Sequence, residues 1–260
     1  MGLPAKLVHS QLNFFKPLVA NCSLETIRRG QDKLGELMEA IHRKDVITRD
    51  HAFANFEGAW IIPKDERRQG VILYLHGGGY TCGDLDYAKG FGATLADEEG
   101  VRVFAAAYRL APESPYPAAV EDALEAYNYL RQKGYKPEHI MLCGESAGGG
   151  LCFALCLRLK ELSQPLPCGI IAISPWADLT ASGSTYETNR EKDVSLTAEV
   201  LEFYAQCYAA GHDRREQTIS PLFGELTGMP PSLIFAGGDE ILLDDSVRLN
   251  RRLTECGCKS

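Results

Sequence analysis

From residue 71 onward, short apolar runs rich in Val and Ile alternate with helical segments. The runs cover residues 71–76, 101–108, 139–144, 169–175 and 232–238. None alternates strictly, which is the pattern of strands covered on both faces. Between the second and third runs lies Pro117-Ala118-Ala119, then Val120, Leu124, Tyr127 and Leu130 on one face, then Gly134. Proline in the first turn and glycine past the end punctuate a helix. Strand and helix in this rhythm predict a mostly parallel sheet with helices on both faces. Upstream, Leu24, Ile27, Leu34, Leu37, Met38 and Ile41 recur at helical spacing and predict helices within residues 1–45,. Two strands are expected at 46–53 and 57–63, then a polar turn at 65–70. Residues 178–223 carry helical periodicity (Val200, Leu201, Phe203, Tyr204, Cys207) and no strand. Together with residues 1–45 they are expected to cap the carboxyl edge of a main domain spanning 46–260. An ordinary sheet-flanking helix with long loops is the alternative. A last helix is expected at 244–255, with Val247, Leu249 and Leu253 as its apolar positions.

Composition changes this picture little, but it excludes partners. The 27 basic and 35 acidic residues give a net charge of −8, so the chain lacks the basic face that nucleic acid demands,. No apolar run approaches the roughly 18 residues of a membrane-spanning helix. The apolar patch at 12–19 is broken by Lys16 and Pro17 and makes a poor secretory signal,. The nine cysteines are scattered, with no Cys-x-x-Cys pair. They read as buried free thiols of a reducing cytoplasm, with no metal site.

Two motifs carry chemistry. Gly144-Glu145-Ser146-Ala147-Gly148 fits Gly-x-Ser-x-Gly, in which a serine on a tight strand-to-helix turn projects from the top of a sheet,. A strand-like run precedes it, and Leu151, Ala154, Leu155 and Leu159 mark one face of a helix after it. His76-Gly77-Gly78-Gly79-Tyr80 follows the run at 71–75. Its uncovered amides suit an oxyanion hole, with Gly77, Gly78, Gly79 and Ala147 as candidate residues. A phosphate loop would need a Walker lysine or Gly-x-Gly-x-x-Gly spacing, and neither is present. His76 precedes Ser146 and reads as a structural residue, as do Gly144, Glu145 and Gly148. Asp239 follows the apolar run 233–236, read as a buried strand, and two glycines. It should therefore leave that strand at the same carboxyl edge as Ser146, as a buried carboxylate able to orient a histidine. Glu240, Asp244 and Asp245 are its rivals, the last two suiting the start of a helix.

These motifs together resemble the hormone-sensitive-lipase family of α/β-hydrolases. Tyr108-Arg109-Leu110-Ala111-Pro112-Glu113, Tyr116-Pro117-Ala118-Ala119 with Asp122, and Ser174-Pro175-Trp176-Ala177-Asp178-Leu179-Thr180 look like further segments of that family. So does Asp239-Glu240-Ile241-Leu242-Leu243-Asp244, an Asp-x-Leu-x-Asp motif with one residue extra. The likeness covers about residues 70–255. It implies an α/β-hydrolase fold with a helical cap. It also implies a carboxylesterase acting on small short-chain acyl esters, without metal or cofactor, in which Ser146 is the nucleophile and Asp239 the triad acid. Some members form a homodimer through a sheet edge, a point the sequence leaves open.

The family's motif order puts a histidine after the acid. Here the histidines are His9, His42, His51, His76, His139 and His212, and none follows Asp239. Three explanations follow. The chain is truncated before the strand and histidine loop of a longer esterase; or it binds a ligand without catalysis, as the similar gibberellin receptors of plants do; or His212 substitutes.

Overall fold

The computed structural model describes residues 23–260. The patch at 12–19, Cys22 and the first half of the 1–45 segment lie outside them. Among the described residues, seven strands form one sheet: β1 (Val46–Ala52), β2 (Glu57–Pro63), β3 (Val71–Leu75), β4 (Arg102–Ala107), β5 (Ile140–Glu145), β6 (Gly169–Ile173) and β7 (Ser232–Phe235). Their spatial order is β1-β2-β4-β3-β5-β6-β7. β1–β2 and β2–β4 pair antiparallel, and every later pairing is parallel.

The lack of alternation in the central strands has the expected cause. Val71, Leu73 and Leu75 of β3 face one core cluster, while Ile72 and Tyr74 face another. The first cluster is built with α3 (Ala118–Gln132), α4 (Ala147–Glu161) and α7 (Leu243–Glu255), and the second with α2 (Leu85–Glu99). Strand β7 departs from this. Leu233 and Phe235 are 53% and 51% exposed, because β7 is the sheet edge and nothing among the described residues covers that face. The run 233–236 is thus not the buried strand that the sequence suggests. In α7, Leu249 and Leu253 are buried, whereas Val247 is exposed.

Helix α1 (Leu24–His42) is capped by the Ser23 hydroxyl, which accepts from Thr26 N–H. Leu24 and Ile27 pack on the core, but Leu34, Leu37 and Ile41 are exposed. The reason is a glycine face. A Cβ on Gly35 would sit 2.4 Å from Asp86 O and Tyr87 Cα, so α1 rests backbone-close on α2 and turns its apolar stripe away. Residues 178–223 hold two α-helices, α5 (Thr185–Thr188) and α6 (Ala198–Ala209), a 3-10 turn at Pro221–Phe223, and no strand. The eight described cysteines are all free. No helix among the described residues is long and apolar enough to cross a membrane.

Candidate active site

Ser146 joins β5 to α4 with φ 53° and ψ −120°. A positive φ strains a residue with a Cβ, so the surroundings must impose it. They do so by close approach. A Cβ on Gly148 would lie 2.0 Å from Leu75 O, and one on Gly144 would lie 2.5 Å from Gly148 C. The turn is therefore pressed onto the end of β3. Ser146 N–H donates to Ile173 O (2.9 Å), and its carbonyl accepts from Trp176 N–H (2.8 Å), which fixes the turn against β6.

The loop after β3 runs through three left-handed residues, Gly78 (φ 109°), Gly79 (φ 63°) and Tyr80 (φ 61°). The N–H groups of Gly78 and Gly79 have no acceptor among the described residues, and neither does that of Ala147 in the first turn of α4. A helix N-terminus adds partial positive charge at that point. Gly77 is different: its N–H donates to Glu145 Oε1 at 2.6 Å. Its amide is already engaged, which corrects its place among the oxyanion donors.

Glu145 is the residue whose part the sequence did not reveal. Its carboxylate also accepts from Tyr74 OH (2.8 Å) and Tyr87 OH (3.3 Å), so it clamps the glycine loop to the serine turn. Burial pushes its pKa up to about 7, against the pull of those hydrogen bonds. The available signal was Tyr74 itself, a tyrosine inside a buried strand whose hydroxyl needs a partner. His76 is fully buried and stacks on Tyr108 (4.2 Å between centroids, 3° between planes). Its Nδ1–H donates to Gly77 O (2.7 Å), and burial lowers its pKa to about 4. It is a neutral ring that shapes the loop.

Asp239 lies in the loop after β7, exposed, with no partner among the described residues. The expectation of a buried carboxylate fails there because β7 is an edge and nothing described packs outside its loop. Of the rivals, Asp244 accepts from Ser184 N–H (2.5 Å) and Ser184 OH (2.7 Å). Buried Asp245 accepts from Ala177 and Asp178 N–H (2.9 Å each), and burial pushes its pKa up to about 8. Both carboxylates tie the segment after β6 to α7. Glu240 turns toward the cavity described next, with Oε1 held by Gly237 N–H (3.0 Å).

A cavity of 470 Å3 lies over Ser146. The glycine loop, Ser146 and Ser174 line it from the sheet, and Ile27, Gln31, Leu196, Val200, Leu201 and Tyr204 line it from α1 and the 178–223 segment. Among the described residues, no lysine, arginine or histidine lines it. His42 bonds Asp97 (2.8 Å), His51 stacks on Tyr129, and exposed His212 faces Glu216 (3.3 Å). His212 thus stands outside the Ser146 cavity, which removes it as a substitute base in this arrangement.

Comparison with known proteins places this architecture. A model of the alpha/beta hydrolase fold matches residues 72–260. An acetyl-hydrolase of Streptomyces hygroscopicus is 39% identical over 230 residues, covering 88% of this chain and 74% of that protein. An esterase of Acinetobacter venetianus is 35% identical over 190 residues, and the chain spans 63% of its length. The crystal structure of EstE5 soaked with p-nitrophenyl butyrate superposes with TM-score 0.91 at 33% identity, over 100% of this chain and 87% of that one. An esterase from the bacterial hormone-sensitive lipase family superposes with TM-score 0.85 at 34% identity, over 96% and 84% of the two chains. With its sequence, its sheet order and its serine turn all in agreement, the chain belongs to the α/β-hydrolases, in the hormone-sensitive-lipase family.

Proposed function

We propose that this chain carries the machinery of a carboxylic ester hydrolase in which Ser146 is the nucleophile. One observation carries the reading: the free N–H groups of Gly78, Gly79 and Ala147 stand beside a serine in strained geometry on the floor of a 470 Å3 cavity. Ser146 Oγ attacks the ester carbonyl carbon. The carbonyl oxygen, gaining negative charge, accepts from the three amides. A general base takes the serine proton and hands it to the leaving alcohol, and Asp239 orients that base. No described histidine lines the cavity, so the base comes from outside the described residues. The substrate is a small, short-chain ester, in keeping with the names of relatives such as the acetyl-hydrolase. Helix α1 and the 178–223 segment act as the cap that limits its size. The free thiols fit a reducing, cytoplasmic setting.

The second reading is a non-catalytic binder of a small molecule, favoured by the lack of a histidine among the described residues of the cavity lining. Imidazole separates the two. A general base contributes about 10²–10⁴-fold to such a reaction, so the chain alone should hydrolyse p-nitrophenyl acetate feebly. Added imidazole should raise turnover at least about tenfold above a Ser146→Ala control in the same buffer. Tight ester binding with no serine-dependent turnover, with or without imidazole, would establish the binder instead.

A further inference from the structure

We propose that a groove on the α3 side of β1–β2, away from Ser146, binds a planar aromatic anion. The register of the sheet builds it. Arg49 of β1 lies directly opposite Trp60 of β2, so their side chains stand side by side on one face,. His51, two residues on, shares that face. Tyr129 in the last turn of α3 closes the groove, with Lys133 and Tyr135 just after the helix. The resulting cavity holds 560 Å3, the size of a small-ligand site,.

The walls are aromatic rings packed in pairs. Trp60 stacks on Tyr135 (5.9 Å) and donates its indole N–H to Tyr129 OH (3.0 Å), and His51 stacks on Tyr129 (4.3 Å). Trp60, Tyr129, Tyr135 and His51 are all only half-buried. A flat ligand would extend these pairs by offset stacking on an outer ring.

The charge decides the sign of the ligand. Arg102 is matched by Glu66 (3.0 Å), and Asp50 by Lys89 (2.8 Å). Arg49 and Lys133 have no carboxylate partner among the described residues; Lys133 Nζ instead sits 5.2 Å from the Tyr129 ring centroid. Two uncompensated cations in one groove stand out on a chain of net charge −8. The carboxyl end of α3 opposes them with only about half a unit of negative charge. An aromatic ring between these walls, with its carboxylate toward Arg49 and Lys133, satisfies both features at once.

Trp60 is its own reporter, since the only other tryptophan, Trp176, is buried. The probe is 4-nitrobenzoate, which quenches indole fluorescence and carries no ester. Saturable quenching is expected, with 4-nitrobenzamide binding at least about tenfold more weakly, as loss of a charged contact implies. Arg49→Ala and Lys133→Ala should each raise Kd about tenfold, while Ser146→Ala should leave it unchanged. Both substituted residues are exposed, and circular dichroism would check that the variants fold. Linear, unsaturable quenching, equal affinity for the amide, or indifference to both substitutions would overturn the proposal.

Discussion

Ser146, Gly144 and Gly148 show what a backbone constraint does to a sequence. At Gly148 a single added carbon would lie 2.0 Å from a carbonyl oxygen, so the residue type follows from geometry and the motif can be read without a structure. Glu145 is the opposite case. Its place in the motif reads as structural, but only the placement of Tyr74 and Gly77 around it shows what it holds together. Its titration leads to a prediction. The folded chain holds the Glu145 pKa at about 7, above the ordinary 4.5, and so favours the protonated form. The associated stability is fully present below pH 4.5 and is lost as the pH rises through about 7. At about 1.4 kcal/mol per pH unit the difference amounts to about 3 kcal/mol. Glu145→Gln keeps an acceptor for Gly77 but cannot ionise. Thermal melts of the two chains should diverge between pH 5 and 8, with the variant losing less stability. Parallel curves would remove Glu145 as the cause. Asp239 was legible as a motif position, but its exposure was not, because exposure depends on what packs against the loop.

Helix α1 is legible as a helix from its spacing, but not in its orientation. Periodicity identifies an apolar stripe and assumes that it faces the core. Here the seating is by Gly35 against α2, with Arg28 as the tether: its guanidinium donates to Thr81 O (2.7 Å), Ala111 O (2.9 Å) and Glu113 (2.8 Å). Thr81 follows the glycine loop, so the helix that lines the cavity through Ile27 and Gln31 is bolted to the loop beneath it. Gly35→Val should lift α1 from α2 at a cost of about 1–3 kcal/mol, as overpacking usually does. Limited proteolysis should then cut within residues 24–42 well before the sheet, and the urea midpoint should fall. Unchanged protease resistance would show that the glycine contact does not seat the helix. The central strands, by contrast, were legible almost to the residue, since burial on both faces leaves an unbroken apolar run.

At the scale of the molecule, the sheet has an open side among the described residues. β7 is its edge, and Leu233 and Phe235 stand half-exposed on it. An edge strand with apolar side chains is a template for pairing with another chain. Light scattering on a concentration series should show association, and Phe235→Lys should reduce it several-fold. A monomer at every concentration would speak against this edge as the contact. Sequence patterning misjudged this strand because position in a sheet is a property of topology, not of composition.

That same topology ranks the strands by how readily they come apart. β5 has four strands on one side and two on the other, whereas β7 has a neighbour on one side only. Native-state opening should therefore begin at the margins and reach the inner strands β3 and β5 late,. Ser146 follows a strand inside the sheet, and Asp239 follows one at its margin. A transient fraying of the margin would release Asp239, the proposed acid, while Ser146 and the glycine loop stay assembled. Activity in such a sheet would fade with gentle warming well before the protein melts.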